Sequence, residues 1–164
     1  MQNNEFYTVR GYQMLKKDKK YLTSAMEDYL EMIYRNIKEL GYMRINTLSE
    51  LLNVKPSSAT KMVQKLTQLG FLDYKKYGII VLTESGEKLG RFLLNRHNII
   101  EKFLMIIGIN TDILTETELI EHNVSPNTLR RINQLNMFLE GHPEVLEEFE
   151  KFKASRIFTE DPFG

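Results

Sequence analysis

The sequence predicts a mostly α-helical protein: a winged helix–turn–helix followed by an all-helical second half. Three observations carry this. Apolar residues recur at helical spacing along most of the chain. One pair of short β-prone runs, residues 71–74 and 79–82, flanks a glycine-containing turn. That pair follows three helical segments, the order in which a winged helix–turn–helix is laid out.

Residues 1–21 read as a basic N-terminal arm. Lys16, Lys17, Lys19 and Lys20 could touch phosphates, although a solvated tail is the simpler account of such a terminus. The first helix is expected from Ser24, where Ser24-x-x-Glu27 forms a capping box. Met26, Tyr29, Leu30, Ile33 and Tyr34 follow at helical spacing, and the helix should end near Gly41. Thr47-x-x-Glu50 is a second capping box, opening a short helix with Leu48, Leu51 and Leu52 inward. It breaks at 53–56, where Pro56 suits the first turn of the next helix and Ser57 and Ser58 stand near its free N–H groups. That helix runs to Gly70 and buries Ala59, Met62, Val63, Leu66 and Leu69.

Between the two strands, Lys75-Lys76-Tyr77-Gly78 makes a hairpin tip, with glycine available for positive φ. Thr83 can cap a long helix through about Ile107, which Gly108 closes. Further helices are expected over 112–123, 126–140 and 143–156, the last burying Val145, Leu146, Phe149 and Phe152. His142 falls between Gly141 and Pro143 and reads as surface. The organisation is therefore the arm, a winged half over 22–90, and a linking helix with a second helical half over 91–164.

Composition narrows the function classes. The 164 residues are 42% apolar and 27% charged, enough for a buried core. The absence of cysteine excludes a disulfide scaffold, a cysteine nucleophile and any thiolate-ligated metal. Net charge is zero, but residues 1–100 carry 16 Lys and Arg against 10 Asp and Glu, a balance of +6, while 101–164 carry the opposite balance of −6. The first half suits a polyanion. No apolar run reaches the roughly 20 residues of a membrane span, and the N-terminus lacks the apolar core of a secretory signal, so no membrane role and a cytoplasmic location are expected.

In a winged helix–turn–helix the second helix of the pair enters the major groove. Here it would present Ser57, Ser58, Thr60, Lys61, Gln64 and Lys65 opposite its apolar stripe. Hydroxyls and an amide can reach base edges, and lysines neutralise phosphates. Lys75, Lys76 and Tyr77 stand where a wing would brush double-stranded DNA. The bland account of these polar residues is a solvated helix face. The wing, the order of helices and the positive half favour DNA.

Three sets of metal-capable side chains remain. Asp28 and Glu31 are i, i+3 on the first helix, His97 is in the long helix, and Glu118, Glu121 and His122 share one face of the next. If all six converged, four carboxylates would repel one another without cations, and two divalent ions would balance them. Oxygen with some imidazole nitrogen suits manganese or ferrous iron. Spacing alone is not specific, because acidic pairs at i, i+3 are common on solvated helices. A di-iron carboxylate bundle is excluded because no histidine has a glutamate three residues before it, and no H-E-x-x-H zinc motif occurs.

The runs MEDYLEMIY (26–34), VKPSSATKMVQKL (54–66), FLDYKKYGIIVLT (71–83), RHNIIEKFLMIIG (96–108) and ELIEHNVS (118–125) closely resemble the manganese-sensing branch of the diphtheria toxin repressor family. The resemblance covers about residues 22–142. It implies a winged helix–turn–helix joined by a long helix to a helical dimerisation domain, and no enzyme activity. It also implies a homodimer that binds a double-stranded DNA operator and represses manganese-uptake genes, with no small-molecule substrate. The paired site it implies holds two Mn2+ per chain on Asp28, Glu31, His97, Glu118, Glu121 and His122, with Fe2+, Cd2+ or Zn2+ as substitutes in vitro. In the iron-sensing branch a methionine stands at the position of Asp28, so the aspartate argues for manganese. The arm is longer than the family pattern, residues 143–164 match it poorly, and the chain is too short for the SH3-like domain of larger members. Two other readings stay open: a winged-helix regulator sensing a small organic ligand, and, more remotely, a carboxylate-bridged metallo-hydrolase.

Overall fold

Helix α1 (Ser24–Asn36) is capped by Thr23, whose hydroxyl accepts the Met26 N–H at 3.4 Å. The structure is a computed structural model describing residues 22–37 and 40–155, so the arm 1–21 lies outside the described residues. The cap stands one residue before the expected Ser24, and Glu27 serves another purpose: its carboxylate is drawn to Arg96 and His122. The α-helix ends at Asn36, short of Gly41, which donates its N–H to the Ile37 carbonyl at 2.8 Å.

Strand β1 (Met43–Arg44) is an addition to the expected elements. It leads directly into α2 (Ile45–Leu51), which therefore starts two residues before the expected Thr47 cap and has no side-chain cap. This phase puts Leu48 and Ser49 inside and leaves Leu51 exposed, contrary to the inward Leu51 expected. Helix α3 (Pro56–Gln68) has proline in its first turn. Its N-cap is Lys55 without a side-chain bond, and Ser57 and Ser58 are exposed. Ala59, Val63 and Leu66 are fully buried, with Met62 and Leu69 packed at the margin.

Strands β2 (Leu72–Lys75) and β3 (Ile79–Leu82) pair antiparallel from Leu72 opposite Leu82 to Lys75 opposite Ile79. β1 pairs on the other edge of β3, giving the order β1-β3-β2. The tip is a single 3-10 turn, Lys76–Gly78, in which both Tyr77 (φ 65°) and Gly78 (φ 71°) are left-handed. A Cβ on Gly78 would stand 2.8 Å from the Ile45 side chain, so the wing folds tightly over the start of α2.

Helix α4 (Glu84–Ile107) spans about 36 Å. The Thr83 hydroxyl accepts the Gly86 N–H at 3.0 Å, and Gly108 closes the helix at φ 101°. Helices α5 (Ile113–Glu121), α6 (Pro126–Glu140) and α7 (Pro143–Ser155) complete the described chain. His142 is half-exposed in the α6–α7 turn and stacks on Phe138.

Two apolar cores form on one rod. The first gathers Leu30, Ile33, Leu48, Val63, Leu66, Leu72 and Ile80 around Leu89 and Leu93 of α4. The second gathers Ile99, Ile100 and Leu104 of α4 with Leu129 of α6, flanked by Ile113 and Ile120 of α5. The expectation that α7 buries Val145, Leu146, Phe149 and Phe152 is not met within the chain: no α7 residue is buried, and Phe152 is half-exposed. Val145, Leu146 and Phe149 are half-buried.

Candidate metal centre

Between the two cores α4 carries Arg96 and His97, each only 3% exposed. A polar pair in that position needs partners, since burying unpaired polar groups is costly. Helix α1 supplies Glu27, Asp28 and Glu31 from the winged side, and α5 supplies Glu121, with His122 at its C-cap, from the other. The α1–α4 crossing is close because Gly90 lies against Tyr34; a Cβ there would meet the Tyr34 Cβ at 2.6 Å.

Two groups of donors result. Glu31, His97 and Glu121 form one, and Asp28, Glu121 and His122 the other, each with its ligand-capable atoms within 4.8 Å of one another. Glu121 belongs to both. Its Oε2 is 3.2 Å from His97 Nδ1, and its Oε1 is 3.8 Å from His122 Nε2. Asp28 Oδ1 is 3.0 Å from the same Nε2, and Glu31 Oε1 is 3.8 Å from His97 Nδ1. Five of the six expected ligand positions are thereby brought together. Glu118 stands apart, exposed on α5 and outside both groups.

The charges are under tension. Burial pushes the Glu31 carboxyl above the usual carboxylate range, and the neighbouring Glu121 charge pushes it further, against the pull of His97 and Arg35. The hydrogen bond to Glu121 raises His97 despite its burial. Hydrogen bonds to Asp28 and Glu27 push His122 up to about 10. Burial acts to raise Glu27, but the His122 hydrogen bond and the Arg96 charge outweigh it and hold that carboxyl low. Three carboxylates and two imidazoles thus converge at buried or half-buried positions, with one carboxylate facing both imidazoles. A divalent cation accepting oxygen and nitrogen donors fits this set, and a thiolate-seeking one does not.

Sequence reasoning missed Glu27 and Arg96. Arg96 Nη2 is 2.9 Å from Glu27 Oε2, which is 3.0 Å from His122 Nδ1. Glu27 looked like a helix-capping residue, and nothing in spacing singles out an arginine beside a histidine. Only the packing of α1 on α4 reveals the pair.

At the other end of the winged half, Ser57, Ser58, Lys61, Gln64 and Lys65 are exposed on α3. Thr60 is half-buried, its hydroxyl donating to the Pro56 carbonyl at 2.8 Å. On the wing Lys75, Lys76 and Tyr77 are exposed, Tyr77 by 88%. No helix among the described residues is long and apolar enough to cross a membrane.

Comparison with known proteins agrees with both halves. A profile described as iron dependent repressor, N-terminal DNA binding domain, matches residues 21–80. A second, described as iron dependent repressor, metal binding and dimerisation domain, matches residues 83–150. The HTH-type transcriptional regulator MntR of Lysinibacillus sphaericus is 44% identical over 133 residues, 80% of this chain and 96% of that protein. The MntR of Listeria welshimeri is 41% identical over 140 residues, 85% of this chain and 99% of that protein. Among solved structures, the manganese regulator SloR aligns with a TM-score of 0.60 at 29% identity, over 67% of this chain and 52% of that one. ScaR with bound Zn2+ aligns with a TM-score of 0.55 at 32% identity, over 67% of this chain and 52% of that one. The matches to these two structures therefore span about half of their lengths. With a DNA-binding half, a metal-binding and dimerisation half and regulators as relatives throughout, the chain belongs to the diphtheria toxin repressor family of metal-dependent transcriptional regulators, in the branch of the MntR regulators.

Proposed function

We propose that the chain is a manganese-dependent transcriptional repressor that acts as a cytoplasmic homodimer on a double-stranded DNA operator controlling manganese-uptake genes. The observation that carries this reading is the convergence of carboxylates and imidazoles from α1, α4 and α5 at the junction of the two cores, in a chain without cysteine. Relatives named MntR and a solved manganese regulator support the choice of metal.

The site would hold two Mn2+ per chain. Glu31 and His97 serve one position, Asp28 and His122 the other, and Glu121 faces both; Glu118, on the same helix, is the remaining expected ligand. Fe2+, Cd2+ or Zn2+ are expected to substitute in vitro. When bound, manganese would add positive charge to a site whose carboxylates, among the described residues, otherwise face only Arg35 and the two imidazoles.

The chain's own residues translate that binding into position. Asp28 and Glu31 ride on α1, which shares a core with α3, the helix carrying Ser57, Lys61 and Lys65. Glu121 and His122 belong to the dimerising half. Holding both sets together fixes where α3 stands relative to the two-fold axis, and the dimer then presents two α3 helices to a pseudo-palindromic operator. Without the cation the halves sample other spacings, so the metal response is a shift in population. The chain works in this account as an arm, a reading half (22–90) and a sensing half (91–164).

The test is operator binding by the purified chain in Mn2+ and in excess chelator at one salt concentration. Binding that requires Mn2+ is the expected result. Equal binding in chelator would overturn the reading.

A further inference from the structure

We infer that Glu27 and Arg96 are positioning residues that set the ring orientation and tautomer of His122, so that its Nε2, and not its Nδ1, is offered to the cation. The inference rests on the metal-binding role proposed above.

The contacts decide the proton's place. His122 Nδ1 lies 3.0 Å from Glu27 Oε2, and Arg96 Nη2 lies 2.9 Å from that same oxygen. Arg96 Nη2 is also 3.4 Å from Nδ1, but a guanidinium has only donors to offer. The nearer carboxylate, kept ionised by Arg96, is the acceptor, so Nδ1 carries the hydrogen and donates it to Glu27. A cation then displaces the other proton and takes the lone pair of Nε2, the nitrogen facing Asp28 Oδ1 at 3.0 Å and Glu121 Oε1 at 3.8 Å. A carboxylate holding the far nitrogen of a ligating histidine fixes its tautomer and raises its basicity.

Arg96 has a second effect. It engages the Glu27 oxygen that would otherwise be a free carboxylate beside the site, and so keeps Glu27 among the supports and out of the ligand set. Stability alone does not account for this arginine. Its Nε is buried with no partner among the described residues, and buried ion pairs rarely outperform apolar packing. Its place in α4 does account for it. Consecutive residues of one helix serve the two groups, His97 directly and Arg96 through Glu27 and His122. Helix α4 thereby registers both positions at once.

The experiment compares wild type with Glu27→Ala and Glu27→Gln by Mn2+ titration and by long-range 1H–15N spectra of the histidine rings in Zn2+-loaded protein. In wild type, His122 should show a protonated Nδ1 and a ligated Nε2. Glu27→Ala should lose about 10–100-fold in affinity at one of two Mn2+ positions and lose the single tautomer. Glu27→Gln, whose amide oxygen still accepts the Nδ1–H, should recover most of the affinity and the wild-type ring spectrum, which a merely structural role does not require. Wild-type affinity in Glu27→Ala, or a cation on Nδ1 in wild type, would overturn this inference alone. A wild-type chain that takes up no cation would overturn the proposed function, and this inference with it.

Discussion

In the proposed site, His122 is where proton and metal would compete most directly. Its pKa is pushed up to about 10, well above the ordinary histidine range, so the metal-free chain holds an imidazolium between Glu27 and Asp28 at neutral pH. A cation bound through Nε2 must displace that proton. Mn2+ affinity should therefore rise with pH between about 6.5 and 8, by about tenfold per unit for one displaced proton. Titrations at the two ends of that range check the sign, and a flat profile would contradict it. His97→Ala removes the imidazole of the other group, and it should weaken Mn2+ binding and metal-dependent DNA binding together, by more than about tenfold, since even outer partners of metal ligands cost that much. A normal metal response in that variant would remove His97 from the site. Spacing at i, i+3 and i, i+4 puts candidate ligands on one face whatever the rest of the chain does, but it is not specific, and the resemblance is what joined the three sets into one expected site. Glu27 was misread because the pattern of a capping box is the same whether the glutamate turns back to the helix start or reaches across to another helix. Thr23 caps α1, and Glu27 is spent on Arg96 and His122.

Among the elements, helices with strong boundary chemistry were readable nearly to the residue. Thr83 and Gly108 bound α4 as expected, because each satisfies end groups locally, and α6 covers the expected span 126–140. Strand β1 was not readable. Two residues cannot show alternation, and Met43 and Arg44 are strand only because Ile80 and Ile79 of β3 pair with them. Helix α2 follows at once, with Ser49 inward and Leu51 outward. The α1–α4 crossing depends on Gly90, and Gly90→Ala would drive a Cβ to 2.6 Å from the Tyr34 Cβ. A loss of about 1–3 kcal/mol in unfolding free energy is expected from such overpacking, despite alanine's better helix propensity. Denaturant unfolding of the metal-free chain measures it, and a stabilised variant would contradict the tight crossing. On α3, Lys61 is exposed opposite the buried Ala59, Val63 and Leu66. Lys61→Ala should weaken operator affinity and reduce the salt slope by about one, with Mn2+ affinity unchanged. A loss of metal binding would mean that α3 is not the reading helix.

For the whole molecule, the organisation is two cores threaded on α4, with the polar site at their junction. That the halves differ was visible in their opposite charge balances of +6 and −6. How they meet was not visible, because no local pattern states which face of α5 returns to α1. Glu121 shows the consequence: its sequence neighbours give no hint that its two oxygens face different histidines. The incomplete burial of α7, with Val145, Leu146 and Phe149 half-buried and Phe152 half-exposed, likewise follows from tertiary structure and not from periodicity. In such an architecture the proposed cation would link halves that are otherwise joined mainly through one helix, and two ions per chain are what the paired site requires. The direct measurement is titration of chelator-stripped chain with Mn2+, counting bound ions by electron paramagnetic resonance. Two magnetically coupled ions per chain are the predicted result. A chain that binds no Mn2+ tightly, or binds a single isolated ion, would contradict the paired site.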